Sequence, residues 1–559
     1  MTRELQVAPG NLDAIDRHMA DRINLDDPGA VLAVSHGGDT VISKAYGLAD
    51  MERPRPLEIH SALDAGSIIK TLTGLAISML EDGGTLSCET RLCDVLPEFP
   101  VYGDELQLKH LIRHESGLRN YTVLLYYMAG WHEQYPPSSD QVYDSIRRSG
   151  SLSFHPGKRY EYCDSNYFLL AKVIERVAGE RFGAFIEERI LSPLGMTDST
   201  ILDCPDPNTE TWAEGYVGYP SELRSPHEYR TSEKSPEDFH PVRLCYTHVG
   251  AEGLRTSARD LLTLGRHLFV HSDVLSEAVR ERVLKTSRIR EDGFGYGYGL
   301  NVGLYRGMRF LGHSGEIQGF TATMSCFPDQ DLTIACLTNR QDIAAWTCRN
   351  WVLDELLGTS PAQLQESVPR VALPAEQQEL LGQYLDPISA GFLEISQVGS
   401  GLGISFNGGS ILPLSGSGPW QADKGVKVIR RDSRHGESCP RLIIQVRYVA
   451  SEYVPFTGDL GSDDFREYEG TYVCDALDST FVVEAIVSGI RLTNQDSQRP
   501  SMDLDYSPMI RDFFWAHDPH PGLSQLQFLC KEGGISAFIY RDYDGDRRED
   551  FRFIRMPAV

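Results

Sequence analysis

A serine and a lysine stand three residues apart in the segment Ser67-Ile68-Ile69-Lys70. On a helix this spacing puts both side chains on one face, one turn apart. A deprotonated lysine amine could then remove the proton of the serine hydroxyl and activate it as a nucleophile. The spacing alone is weak evidence, because a serine that starts a helix beside a solvated lysine produces it as well.

The residues after Ser67 predict a helix over 67–82 that would hold this pair. Apolar side chains recur there at helical spacing, and Gly83-Gly84 ends the pattern. Ser67 would therefore lie at the helix start, where the positive end of the helix dipole and free backbone N–H groups stabilise an oxyanion.

Two further segments could complete a site. Tyr162 follows a Pro-Gly turn and precedes a predicted helix over 166–178, so its phenol could move a proton to a leaving group. Gly312-His313-Ser314-Gly315-Glu316 follows a predicted strand over 308–311, and glycine at 315 would let a substrate backbone approach the strand edge. Taken singly, Tyr162 would be explained by packing and His313 by a structural role.

Together and in this order, the three segments resemble the beta-lactamase-related serine hydrolases, which include class C beta-lactamases, D-alanyl-D-alanine carboxypeptidases, esterases and D-aminopeptidases. That family carries Ser-x-x-Lys, then Tyr-x-Asn, then a Lys-Thr-Gly or His-x-Gly strand. The segments 70–76, 111–118 and 253–261 also look like the family's connecting sequences. The resemblance covers about residues 10–357. It implies an α+β fold with an antiparallel sheet, flanking helices and a helical lobe that contains the tyrosine loop.

The resemblance implies chemistry through an acyl-enzyme. Ser67 would attack the scissile carbonyl, while Lys70, with Tyr162, removes the serine proton and passes it to the leaving group. The oxyanion would lie between the backbone N–H of Ser67 and one just past Gly315, near Glu316.

His313 stands where the lactamases carry a lysine. An imidazole attracts a substrate carboxylate less, which disfavours a penicillinase and favours substrates without a carboxylate near the site. The His-x-Gly form and the β-rich C-terminal part look like the D-aminopeptidases, which implies a D-stereospecific aminopeptidase or amidase acting on small amides or short peptides. An esterase or a peptide acyltransferase or cyclase on the same scaffold is the first alternative, and a catalytically degenerate binding protein is the second.

The sequence departs from the family at Asp164, which replaces the asparagine of the Tyr-x-Asn motif. An ionised aspartate cannot donate a hydrogen bond to substrate. It could pair with the Lys70 ammonium and make the lysine a poorer base. It could instead receive a substrate ammonium group, which would suit an aminopeptidase and makes Asp164 a candidate substrate-binding residue, or it could mark an inactive site.

Other elements are predicted around these segments. The run 293–299, rich in glycine and tyrosine, is predicted to enter a strand beside the site, where its tyrosines could line the pocket. Further predictions are helices over 11–24 and 254–269 and strands over 30–35, 40–46, 297–303, 320–327 and 332–337.

Composition changes after the part that resembles the hydrolases. Residues 1–357 are predicted to form the catalytic domain, and the polar, proline-bearing residues 358–375 a linker. Short apolar runs separated by Gly, Ser and Asp then predict two small all-β, barrel-like domains over 376–461 and 462–559. A weak internal similarity supports two related units, since Gly-x-Tyr at 382–384 and at 470–472 is followed in each case by a strand.

The composition limits which kinds of partner and which cellular location are expected. The 559 residues carry a net charge of −26, which disfavours nucleic acid and anionic membranes as partners. The 11 cysteines are scattered without a CxxC pair, so neither a metal nor a cofactor is expected. No signal peptide or membrane-spanning run is visible, which predicts a cytoplasmic protein. The oligomeric state is left open, with a homodimer as one alternative.

Overall fold

A computed structural model of the 559-residue chain divides into two compact units, one built mainly from residues 1–361 and the other from residues 362–559. The structure describes residues 9–99, 105–122, 124–125, 137–149, 152–203, 212–218, 239–242, 249–269, 272–285, 295–305, 308–357, 374–385, 392–398, 401–406, 412–414, 420–422, 426–431, 441–446, 449–455, 465–474, 479–486, 489–494, 503–510, 513–516, 523–531, 534–543 and 549–556. Residues 358–373 of the predicted linker lie outside these ranges.

The first unit is built on a seven-stranded antiparallel sheet. The strands in order across the sheet are Gly295–Gly297, Leu300–Tyr305, Met308–Ile317, Phe320–Phe327, Leu332–Thr338, Ala30–His36 and Asp39–Tyr46. The two hairpins predicted in the sequence, at 30–46 and at 320–337, are therefore confirmed. They meet side by side because Ala30–His36 pairs with Leu332–Thr338, and every residue of the latter strand is buried.

Helices cover both faces of this sheet. On one face, Ile334 belongs to an apolar cluster with Ile15 of the helix Pro9–Ala20 and Val352 of the helix Ala345–Leu356. On the other face, the helix Ala258–Phe269 contacts the same strand. A strand that alternates its side chains between two covered faces is buried on both sides, as Leu332–Thr338 is, where five of the seven residues are apolar and the exceptions are Thr333 and Thr338.

Several predicted elements were wrong in their bounds. The helix predicted over 11–24 ends at Ala20, and the strand predicted over 297–303 is replaced by two strands, Gly295–Gly297 and Leu300–Tyr305. The helix predicted over 254–269 begins at Ala258, because Leu254–Thr256 forms a short strand that pairs with Leu63–Asp64. The strand predicted over 308–311 continues to Ile317 and so contains the whole His313 motif. The short strand Leu254–Thr256 is decided by pairing with the distant Leu63–Asp64, which local periodicity does not record. The extension to Ile317 comes from pairing with the adjacent strand Phe320–Phe327.

The remaining elements of the first unit surround the site. The helical turn Gly66–Ile68 leads into the helix Ile69–Asp82, which contacts the helix Asp164–Ala178. The other helices are Leu92–Val95, Leu108–Ile112, Ser139–Arg148, Phe182–Ile186, Glu187–Leu191, Ser192–Leu194 and Glu277–Lys285, with a turn at Pro328–Gln330. The short strands are Leu48–Asp50, Arg55–Pro56, Leu63–Asp64, Thr200–Ile201, Gly215–Gly218, Phe239–Val242 and Leu254–Thr256.

The second unit contains two sets of eight antiparallel strands. The first set is Gly382–Leu385, Phe392–Val398, Gly401–Phe406, Leu412–Leu414, Trp420–Ala422, Val426–Arg431, Arg441–Val446 and Val449–Pro455, preceded by the helix Ala375–Gln378. The second set is Gly470–Cys474, Ser479–Ile486, Gly489–Asn494, Asp503–Ile510, Phe513–Ala516, Leu523–Lys531, Gly534–Tyr543 and Glu549–Arg555, preceded by the helical turn Phe465–Tyr468. In both sets the first strand pairs with the last, and the second set closes into a barrel.

The two sets share a detailed repeat. The buried Tyr384 donates a hydrogen bond to the Leu380 carbonyl at 3.0 Å, and the buried Tyr472 donates to the Tyr468 carbonyl at 2.8 Å. Each tyrosine also stands opposite a buried apolar residue of the next strand, Leu393 or Phe481. All three pairs of equivalent residues differ by 88 positions (472 − 384 = 88). The similarity noted in the sequence therefore reflects the same local structure built twice.

Candidate active site

Ser67 lies on a turn that packs directly against the strand Met308–Ile317. A side chain at Gly315 would place its Cβ 1.9 Å from the Ala65 carbonyl oxygen and 3.0 Å from the Ser67 nitrogen. Gly66 has a φ of +47°, and a Cβ there would come within 2.9 Å of the Glu316 nitrogen. Glycine is therefore required at both positions, and the backbone of Ser67 lies beside that of Glu316.

Lys70 is fully buried behind the serine. Its Nζ lies 2.8 Å from three oxygens, namely Ser67 Oγ, Asp164 Oδ1 and the carbonyl of Ala251. Its Nζ also lies 5.1 Å from the ring centre of Tyr162. Ser67 itself remains partly exposed, so the arrangement offers substrate a hydroxyl that already touches a buried amine.

Asp164 is the first residue of the helix Asp164–Ala178, and its side chain is 12% exposed. Asn120, itself buried, donates from Nδ2 to Asp164 Oδ2 at 3.3 Å, and Asn120 Oδ1 accepts the backbone N–H of Asp164 at 3.2 Å. Sequence reasoning missed both Asn120 and Ala251. Neither belongs to a recognisable motif, and both reach the site through contacts between distant segments.

The segment that carries Asn120 is attached to the start of this helix by side-chain hydrogen bonds. His114 Nδ1 accepts the backbone N–H of Cys163 at 3.1 Å, and Ser116 Oγ donates to Asn166 Oδ1 at 2.6 Å. Hydrogen bonds therefore join the segments around residues 114 and 162. These bonds hold Tyr162 and Asp164 in place relative to Lys70.

Tyr162 and His313 lie in one aromatic cluster with Tyr296. The ring of Tyr162 is 5.9 Å from that of Tyr296 and 6.2 Å from that of His313. Tyr296 donates from its hydroxyl to His313 Nε2 at 2.9 Å, and His313 Nδ1 donates to the Ser314 carbonyl at 2.6 Å. Burial raises the pKa of Tyr296 well above its usual value, so its hydroxyl keeps the proton that it donates.

The tyrosine-rich run 293–299 was expected to line the site, and its two tyrosines in the described residues differ. Tyr296 contacts His313, whereas Tyr298 donates its hydroxyl to Glu81 Oε2 at 2.6 Å, near the far end of the helix that begins after Ser67. Side chains alternate along an extended segment, so two residues that are two positions apart are expected on the same side. The sequence therefore does not predict this difference between Tyr296 and Tyr298.

His313 is an uncharged residue in this site. Burial, followed by the positive charge of Lys70, lowers the pKa of His313 from 6.5 to about 3. Only 4% of the residue is exposed, and both ring nitrogens make hydrogen bonds within the protein. His313 therefore offers no cation to a substrate carboxylate at neutral pH. Its predicted contact with substrate stays a prediction.

The lowered pKa of His313 predicts how stability depends on pH. Below pH 6.5 the unfolded chain binds a proton at His313, whereas the folded chain does not until about pH 3. The free energy of unfolding should therefore fall by about 1.4 kcal/mol for each pH unit below 6.5 because of this residue. Urea unfolding of the wild type and of His313→Gln between pH 7 and pH 4.5 measures it. Equal pH slopes in the two proteins would contradict the expectation.

Metal sites, membrane-spanning helices and disulfides were each sought within the part of the chain that the structure describes. No group of three or more His, Cys, Asp or Glu side chains is arranged to hold a metal ion. No described helix is long and apolar enough to cross a bilayer. The described cysteines form no disulfide.

The chain is similar to known D-aminopeptidases and penicillin-binding proteins. The family model described as Beta-lactamase matches residues 14–357. The chain is 26% identical to a D-aminopeptidase of Cereibacter sphaeroides over 84% of this chain and 86% of that protein. It is 28% identical to penicillin-binding protein 4* of Bacillus subtilis over 56% of this chain and 68% of that protein. The octameric penicillin-binding protein homologue from Pyrococcus abyssi has a similar fold, with a TM-score of 0.54 and 19% identity over 98% of this chain and 99% of that one.

Proposed function

Because this chain belongs to the beta-lactamase family, whose model matches more than half of its residues, we propose that it is a D-stereospecific aminopeptidase or amidase that works through an acyl-enzyme on Ser67. The observation that carries the proposal is the 2.8 Å contact between Ser67 Oγ and the buried Nζ of Lys70. The relative named D-aminopeptidase, which aligns over 84% of this chain, supports the class of reaction.

In the proposed reaction Ser67 attacks the substrate carbonyl and Lys70 takes part in removing its proton. The backbone N–H groups of Ser67 and Glu316 stabilise the oxyanion, a role that their close approach across Gly66 and Gly315 supports. Tyr162, beside the Lys70 amine, passes a proton to the leaving group. Water then releases the acyl group from the serine.

The edge of the strand Met308–Ile317 supports a peptide-like substrate. Its pairing with Leu300–Tyr305 ends at Gly312, whereas its pairing with Phe320–Phe327 continues to Ile317. Among the described strands, residues 313–317 therefore have a neighbour on one side alone. A short peptide or amide can lie along the other side as an added strand.

The uncharged His313 supports an amide rather than a penicillin as substrate. A beta-lactam presents a carboxylate close to its scissile bond, and a neutral imidazole that already makes two hydrogen bonds does not attract it. We expect small amides or short peptides with a D-residue at the acyl side.

The repeat in the second unit supports a chain of three domains. We propose a catalytic domain over 1–357, a linker over 358–375 and two barrel-like domains over 376–461 and 462–559, and the repeated tyrosine hydrogen bonds 88 residues apart favour two domains of one design. The cytoplasmic location stays a prediction from the sequence.

The function is tested by one substrate panel. D-alanine and L-alanine p-nitroanilides, a short acyl ester, a peptide thioester and a chromogenic beta-lactam are compared by kcat/KM. We expect the D-anilide to exceed the L-anilide by at least about tenfold, since a pocket shaped for one enantiomer misplaces the other. Equal rates for the two enantiomers, or turnover confined to the ester, the thioester or the beta-lactam, would overturn the proposal.

A further inference from the structure

The oxygens around Lys70 Nζ indicate which protonation state the resting site holds. A carboxylate oxygen of Asp164 lies 2.8 Å from Nζ, in a site where Lys70 is fully buried. A charged carboxylate at this distance favours the ammonium form, and an ammonium has three donors and no acceptor. Ser67 Oγ, Asp164 Oδ1 and the Ala251 carbonyl supply three acceptors at 2.8 Å each.

An ammonium cannot take the proton of Ser67, so Lys70 must first lose one of its own. Of the three oxygens in contact with Nζ, the Ala251 carbonyl and the Ser67 hydroxyl are far weaker bases than a carboxylate. Tyr162 faces Nζ with its ring, whose centre is 5.1 Å away. Among the described residues in contact with Nζ, Asp164 is therefore the one whose side chain can receive the proton.

We propose that Asp164 is a catalytic residue that accepts a proton from Lys70 during acylation. This role rests on the proposed function and belongs to the residue at which the chain departs from the family motif. One Nζ–H bond breaks and an Oδ1–H bond forms on Asp164. Lys70 turns about its Cε–Nζ bond and accepts the Ser67 Oγ proton on the nitrogen lone pair as the oxygen attacks the carbonyl. The net result is one proton moved from Ser67 to Asp164, with Lys70 again an ammonium beside the new oxyanion.

The surroundings of Asp164 fit this role better than a ligand for a substrate ammonium or a degenerate site, which are two of the three roles that the sequence leaves open. Asp164 Oδ1 already accepts from Lys70 and Oδ2 from Asn120, so the charge of the carboxylate is paired before any substrate ammonium arrives. Asn120 also accepts the backbone N–H of Asp164, which makes it a positioning residue that fixes the carboxylate towards Nζ. A site that had lost its activity would not require the two hydrogen bonds by which Asn120 positions this carboxylate.

Asp164→Asn separates the roles, because asparagine has the same shape and is the residue of the family motif. If Asp164 accepts the proton, kcat on a D-amino-acid amide falls by about 10²- to 10⁴-fold with KM nearly unchanged. The same fall is expected on the analogue that lacks the α-amino group. An unchanged or raised kcat would show that Asp164 merely restrains Lys70, and a higher KM for the free amine alone would show an ammonium ligand. Either result overturns the proposal.

Two controls keep the result interpretable. Asp260→Asn removes another buried carboxylate, which accepts hydrogen bonds from Ser199 and Asp198 away from the site, and should leave kcat within about threefold. If Asp164→Asn unfolds at a much lower temperature than wild type, Asp164→Ala is assayed with added formate instead. A formate-dependent rise in kcat supports a carboxylate proton acceptor, and its absence overturns it. A wild type that forms no acyl-enzyme would contradict the proposed function itself, which distinguishes the two failures.

Discussion

Ser67→Ala is expected to abolish turnover, with a loss in kcat of about 10⁴-fold or more. The Oγ atom that it removes is the one in contact with Lys70 at 2.8 Å, at a turn that presents it to substrate. The variant should also fail to react with a fluorophosphonate, because no acyl-type adduct can form without the hydroxyl. Steady-state kinetics on a D-amino-acid amide and intact-protein mass spectrometry measure both effects.

Ser78→Ala is the matched control for this result. Ser78 lies on the helix Ile69–Asp82, is fully buried, and donates to the Val279 carbonyl at 3.3 Å. Its loss should cost about 1 kcal/mol of stability and leave kcat within about threefold. Retained activity or labelling in Ser67→Ala would remove Ser67 as the nucleophile and, with it, the acyl-enzyme mechanism.

Gly315→Ala is expected to lower both stability and activity without touching a reactive group. Its Cβ would meet the Ala65 carbonyl oxygen at 1.9 Å, and a backbone atom cannot turn away as a flexible side chain can. The strand and the Ser67 turn must separate, which costs about 1–3 kcal/mol or more in overpacking. A shift of about 1 Å at Ser67, the proposed nucleophile, should lower kcat by about 10²-fold.

Thermal unfolding and kcat for Gly315→Ala are measured beside Gly83→Ala. Gly83 ends the same helix that follows Ser67 and has a φ of −71°, and a Cβ there would meet its nearest neighbour at 3.6 Å, an ordinary contact. The control should therefore keep both wild-type stability and wild-type kcat. A Gly315→Ala enzyme with wild-type stability and activity would show that the strand does not constrain the Ser67 turn as closely as these distances require.

The contact between Ser67 and Lys70 and the main strands around it could be predicted from the sequence because their signals are local. A helix that starts at Ser67 repeats apolar residues every three or four positions, and the sheet hairpins carry runs of apolar residues around short turns. The structure follows both patterns, with the helix Ile69–Asp82 and the hairpins at 30–46 and 320–338. Bounds failed where pairing with a distant segment outweighed the local pattern, as at Leu254–Thr256.

The surroundings of the lysine could not be predicted in this way. Asn120 and Ala251 lie 50 and 181 residues from Lys70 along the chain (120 − 70 = 50, 251 − 70 = 181), and neither belongs to a motif. They reach Lys70 and Asp164 through hydrogen bonds that form when separate segments pack together. The state of His313 also depends on packing, since burial and a nearby charge determine it.

The sequence by itself determined which residues can react: a serine one helical turn from a lysine, a tyrosine loop and a His-x-Gly strand in one order. It also determined that an aspartate replaces the motif asparagine, while leaving three roles open for it. Only the tertiary structure decided that the Asp164 carboxylate contacts Lys70 Nζ and accepts a hydrogen bond from Asn120. The physical reason is that a residue's type and its neighbours along the chain determine its chemical capability, whereas its charge partners are set by packing between segments far apart in sequence.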